Sequence, residues 1–194
     1  MKRLALFSTS AVMSLGLVLT GCVGAGGGEG SGGEENQDTQ QQQPVDDPGV
    51  VSVDPSDIII EQTYTKAGTQ DSTKVSVLSL QEEGDFMTLR IAFTPTFASV
   101  ADDEYIDNWD LTQQLDMSAF ESDIVLLDRQ NLKEYSVIRG EPGAMASSTG
   151  DVEILNGSTW VWWGTFAKPQ DEVATLDLRV SDMMPEFTDI PITR

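Results

Sequence analysis

The sequence predicts an all-β protein, a single antiparallel β-sandwich of about seven to nine strands behind a disordered tether. Three observations predict it. Apolar residues recur with a period of two in several short runs, turn residues punctuate the chain at short intervals, and no long helical pattern alternates with the strands.

Taken in order, the apolar run 58–60 reads as a short central strand, and 75–80 as a second strand. A tight turn through Glu82, Glu83 and Gly84 leads into a third, in which Met87, Leu89, Ile91 and Phe93 alternate with Thr88, Arg90 and Ala92 until Pro95 ends the run. Between residues 100 and 120 the pattern breaks. Trp109, Leu111, Leu115 and Phe120 are loosely helical in spacing, which fits at most one short helix or a long strand-linking loop. Residues 124–127 and 135–138 form the two arms of a hairpin around Asp128-Arg129-Gln130-Asn131. The strongest hairpin signal follows: 152–155, then Asn156-Gly157, then 158–166. Asn-Gly meets the positive φ that a type I′ turn demands at both central positions. Ala174, Leu176, Leu178 and Val180 alternate in the next strand, and 187–192 is a last extended segment.

Composition removes much of the catalytic repertoire. The 194 residues include 32 acidic and 11 basic side chains, a net charge of −21, one Cys and no His. Without His there is no Ser-His-Asp or Cys-His nucleophile, no imidazole metal ligand and no side chain that titrates naturally near neutrality. A single Cys forms no intramolecular disulfide and no thiolate zinc cluster. Excess negative charge repels phosphate backbones, so no nucleic-acid partner is expected.

The N-terminus carries the sharpest signal. Met1, Lys2 and Arg3 form a basic start, and residues 4–19 are a largely apolar run, long enough for a signal peptide and short for a membrane span of roughly 20 residues. The run ends in Leu19-Thr20-Gly21-Cys22, which resembles the lipobox of bacterial lipoproteins. That resemblance implies diacylglyceryl transfer to the Cys22 thiol, cleavage just before it, and a stable anchor on the extracytoplasmic side of the cell membrane. Residues 1–21 are then the signal peptide. Residues 22–49 are the lipidated Cys and a tether of glycines, glutamines and acids that buries no apolar surface and is expected to be disordered. The domain spans 50–194, with 26 acidic against nine basic residues, a charge of −17.

Within that domain Val75-Ser76-Val77-Leu78-Ser79-Leu80, Thr88-Leu89-Arg90-Ile91-Ala92-Phe93-Thr94, Val125-Leu126-Leu127-Asp128-Arg129 and Phe187-Thr188-Asp189-Ile190-Pro191-Ile192 resemble the immunoglobulin-like domains of envelope lipoproteins from Gram-positive bacteria, especially actinobacteria. The resemblance implies location, an immunoglobulin-like fold and a binding or structural role. It supplies no catalytic residue and no cofactor.

Three features are candidate sites. In the strand around Trp160-Val161-Trp162-Trp163-Gly164-Thr165-Phe166, Trp160, Trp162 and Phe166 share one face and Val161 and Trp163 the other, so both faces are apolar. Either the first face is core, or it is an exposed aromatic platform for a glycan, peptide or envelope protein, with Glu153 and Asp151 facing it across the Asn-Gly turn. Second, Asp103, Asp107 and Asp110 would lie on one helical face as a weak Ca²⁺ site, although the spacing is not that of an EF-hand and a solvated acidic loop is the simpler reading. Third, a hydrolase needs only two carboxylates, which an acidic chain supplies without specificity. No Ser-x-x-Lys occurs and Thr63-x-x-Lys66 is the closest spacing, so the chain reads as a non-enzyme.

Overall fold

The structure, a computed structural model, describes residues 51–194 except Pro142 and Asp151. The signal segment, Cys22, the 22–49 tether and Asp151 lie outside the described residues. After a 3-10 turn at Pro55–Asp57, whose amide at Ser56 is capped by the Asp54 side chain, the chain forms β1 (Ile60–Thr65), β2 (Ser72–Glu83) and β3 (Phe86–Thr96) as consecutive antiparallel neighbours. Alternation drives this directly. Met87, Leu89, Ile91 and Phe93 are fully buried, while Phe86, Thr88 and Arg90 point outward. The β2–β3 turn is tight, with Gly84 at positive φ in its first central position and Asp85 in the second, the pattern of a primed two-residue hairpin. β3 runs through Pro95, whose carbonyl accepts from the Gly157 amide at 2.8 Å.

The chain then supplies β4 (Tyr105–Asp107), α1 (Asn108–Leu115) and α2 (Phe120–Asp123) before crossing to a second sheet through β5 (Val125–Asp128) and β6 (Lys133–Ser136). β7 (Glu153–Leu155) and β8 (Trp160–Ala167) follow, then β9 (Thr175–Arg179) and β10 (Phe187–Pro191). Eight strands make two four-stranded sheets, in the orders β1-β2-β3-β8 and β10-β9-β5-β6, and β4 with β7 makes a separate two-stranded ribbon. Every pairing between these strands is antiparallel. With β1, β2, β3 and β8 in one sheet and β10, β9, β5 and β6 in the other, the fold is an all-β antiparallel sandwich.

The sheet margins exchange chain. Beyond β6, Val137 bridges to Phe166 and Ala146 to Gly164, so the 137–147 segment covers the free side of β8. Beyond β10, Thr193 pairs in parallel with Gln81, its amide donating to Leu80 at 2.9 Å and its carbonyl accepting from Glu82 at 2.8 Å. These exchanges cover two margins that would otherwise leave backbone groups open to pairing with other chains.

Two expectations are corrected. The Asn156-Gly157 turn does not join a two-stranded hairpin, because β7 pairs with β4 and β8 pairs with β3. Only Gly157 has positive φ, so the turn is not type I′. The reason is the Asn156 side chain, which is buried and bonded to another loop: Nδ2 donates to Phe97 O at 3.0 Å and Val100 O at 2.6 Å, and Oδ1 accepts from Phe97 N at 2.8 Å. The 100–120 segment holds a strand as well as helix. Its helix buries Leu111 and Leu115, and Phe120 is buried at the start of α2, but Trp109 is left in solvent.

Candidate functional site

The two faces of β8 separate cleanly. Trp160, Trp162 and Phe166 are buried in the sandwich, where Trp160 packs on Phe93 and Phe120 with ring centroids 5.8 and 5.2 Å apart. The Trp162 indole lies over Gly164, where an added Cβ would meet the ring at 2.4 Å. Of the two readings of the Trp160, Trp162 and Phe166 face, core is the one the structure shows and the exposed platform is not, because that face of β8 is turned into the sandwich. Trp163 takes the outer face beside Arg90 and is 37% exposed. Glu153 does not face Trp160 or Trp162. It sits on β7 opposite Asp107 of β4.

The alternative of a cation site at Asp103, Asp107 and Asp110 on one helical face is not what the structure builds. α1 begins at Asn108, so Asp103 and Asp107 precede the helix, and Asp107 is its N-cap, with its carboxylate accepting from the Asp110 amide at 2.8 Å. A carboxylate spent on a helix cap is directed at the backbone rather than at a shared metal position. Among the described residues no group of three His, Cys, Asp or Glu side chains is arranged to hold a metal ion.

What the structure does expose is a pair of aromatics at the β4–α1 corner. Ile106 is buried and pins the middle of β4 inward, so by strand alternation Tyr105 and Asp107 point out. Trp109, in the first turn of α1, is 68% exposed and Tyr105 is 62% exposed. The corner is held from behind: the Asn156 amide donates to Glu104 O at 3.0 Å, the Asn156 side chain ties the 97–100 loop, and Glu104 Oε2 accepts from the Ala101 amide at 3.2 Å. Sequence reasoning placed Trp109 in an apolar stripe and passed over Tyr105. The signal that could have found them is their position amid Asp102, Asp103, Glu104, Asp107 and Asp110, where a helix side facing the core would be apolar.

A concavity of about 700 Å³ lies between the 168–174 loop and the C-terminus, lined by Glu82, Lys168, Gln170, Asp171 and Arg194 among others. Glu82 bridges Lys168 at 2.5 Å and Arg194 at 3.2 Å, and its side chain is only 12% exposed. The Lys168 hydrogen bond, aided by the charges of Lys168 and Arg194 and opposed by desolvation, holds the Glu82 carboxyl below its ordinary value of 4.5. A carboxylate kept ionised in this way is unsuited to donate a proton as a general acid. Its lowered pKa has a sign for stability: the ionised form favours the fold above the ordinary pKa, and that contribution is lost as pH falls through the folded value. Glu82→Gln is therefore expected to flatten the decline of stability below pH 4.5, measured as urea midpoints across an acid series. Superimposable pH profiles for the two proteins would count against the linkage.

Comparison with protein-family models, with curated proteins and with solved structures finds no significant match.

Proposed function

We propose that this chain is a membrane-anchored lipoprotein of the bacterial cell envelope, with its β-sandwich acting as a binding or structural module on the extracytoplasmic side. The observation that carries the reading is a coincidence in the sequence: the chain's only Cys, Cys22, stands at the end of a basic start, an apolar run and a lipobox-like Leu19-Thr20-Gly21. Two acyl chains on that residue give stable anchoring where one is marginal. The residues that follow, 23–49, are rich in Gly, Gln and acids, the composition of a spacer between anchor and domain. Strands that bury one side of each sheet leave the outer faces and the loop corners as the surfaces a partner would meet.

The test is metabolic labelling with an alkyne-tagged fatty acid, followed by fractionation. The wild-type chain is expected to take up the label and sediment with membranes, and Cys22→Ser is expected to lose the label. An unlabelled, freely soluble wild-type chain would overturn the reading.

A further inference from the structure

The geometry points to a docking surface at the β4–α1 corner for a Lys- or Arg-rich segment of a partner protein, seated on Tyr105 and Trp109. The aromatic pair is what makes this a surface for docking. Trp109, 68% exposed in the first turn of α1, and Tyr105, 62% exposed on β4 just before it, keep a large apolar area in water, and these are residue types that dominate protein interfaces when covered. Their chemistry is shared with partial cover from Leu155, which pairs with Tyr105 across the ribbon.

Charge complementarity names the occupant. Asp102, Asp103, Glu104, Asp107, Asp110 and Glu153 lie on the same ribbon, turn and first helical turn, and none of them forms an ion pair among the described residues. Residues 98–117 contain no Lys or Arg. The cations Lys74, Arg129, Lys133, Lys168, Arg179 and Arg194 all pair with carboxylates outside this corner. An ammonium or guanidinium group placed over the exposed indole, in a segment rich in carboxylates, gains from the ring's negative face and from local charge together. The domain charge of −17 steers such a segment inward. The corner is also prepared for binding: the Asp107 cap fixes the start of α1 and Asn156 fixes the loop beneath, so little ordering remains to oppose association.

The inference goes beyond the anchoring proposal and does not depend on it, so full-length chain purified in neutral detergent and its Cys22→Ser variant are expected to bind alike. The experiment titrates both with a synthetic oligolysine peptide at low and moderate salt, read by tryptophan fluorescence and by calorimetry. Saturable binding that weakens with salt is expected. Trp109→Ala is expected to weaken it roughly 3- to 30-fold, the loss of one cation–π contact, and Trp163→Phe is expected to leave it unchanged. Because Trp109 and the acids are exposed, a combined Asp102→Asn, Asp103→Asn, Glu153→Gln variant gives an independent arm, expected to lower affinity and flatten the salt dependence. Absence of binding at low salt would overturn the proposal. So would binding indifferent to Trp109→Ala, which marks diffuse charge attraction; preference for a neutral oligosaccharide over oligolysine; or concentration-dependent self-association that buries Trp109.

Discussion

Replacing Trp162 with alanine is expected to destabilise the sandwich by about 3–5 kcal/mol, the range for removing a large aromatic from a closed core. Its side chain is completely buried, with Phe93, Phe120 and Phe166 among the other large side chains of the same core. Two opposing effects set the size. Burying an indole removes roughly 150–250 Å² from water, worth about 4–6 kcal/mol at 25 cal/mol per Å². Against it, the Trp162 Nε1–H is buried with no hydrogen-bond partner, which costs about 1–3 kcal/mol. The apolar contribution wins, and Trp162→Phe should be much milder than Trp162→Ala because it removes the orphaned donor along with only part of the ring area. The measurement is the urea midpoint of each variant by circular dichroism, with unchanged m-values. A loss under about 1 kcal/mol for Trp162→Ala would show that this face of β8 is not core.

Asn156→Ala is expected to cost about 2–4 kcal/mol, an outsized effect for a turn residue. The side chain serves both donor and acceptor groups of the 97–100 backbone, and truncation leaves the Phe97 N–H and C=O and the Val100 C=O without that partner. Asn156→Asp is the sharper variant. It keeps an acceptor for the Phe97 amide but sets a carboxylate oxygen against two carbonyls, so it should be no more stable than the alanine variant. Hydrogen exchange supplies the local readout: the Phe97 amide should lose protection in Asn156→Ala ahead of the core amides of β3. Retained protection, with stability within about 0.5 kcal/mol of wild type, would remove Asn156 from its role as the clamp beneath the β4–α1 corner.

Much of the sandwich was legible because its strands alternate. Met87 to Phe93 and Leu176 to Leu178 bury every second residue as their pattern demands, and the Asp128 turn forms where it was expected, its carboxylate accepting from the Asn131 amide at 2.9 Å. Departures come where local pattern and long-range pairing disagree. In β2 a bulge after Val77 moves the buried positions from Val75 and Val77 to Leu80, an odd step that a strict period of two does not contain. Asn156-Gly157 carries a strong local hairpin preference, yet the side chain's bonds to residues some 56–59 positions away send its two flanking strands to different partners.

The sequence by itself determined most of the strand segments, the antiparallel sandwich and the strongly acidic composition, because alternation and composition are local properties of the chain; it passed over β4 and read a central strand at 58–60 where the structure has the edge strand β1 at Ile60–Thr65. It also determined that β8 would be apolar on both sides. Only the tertiary structure decided which side was core: the side of Trp160, Trp162 and Phe166 faces the second sheet, and Trp163 faces out. The same holds at the β4–α1 corner. An aromatic in a helical stripe is buried only if a neighbouring layer covers that part of the helix, and α1 is covered at Leu111 and Leu115 but not at Trp109. Coverage depends on residues far away in the chain, which is why the exposed aromatics emerged from the packing and not from the pattern.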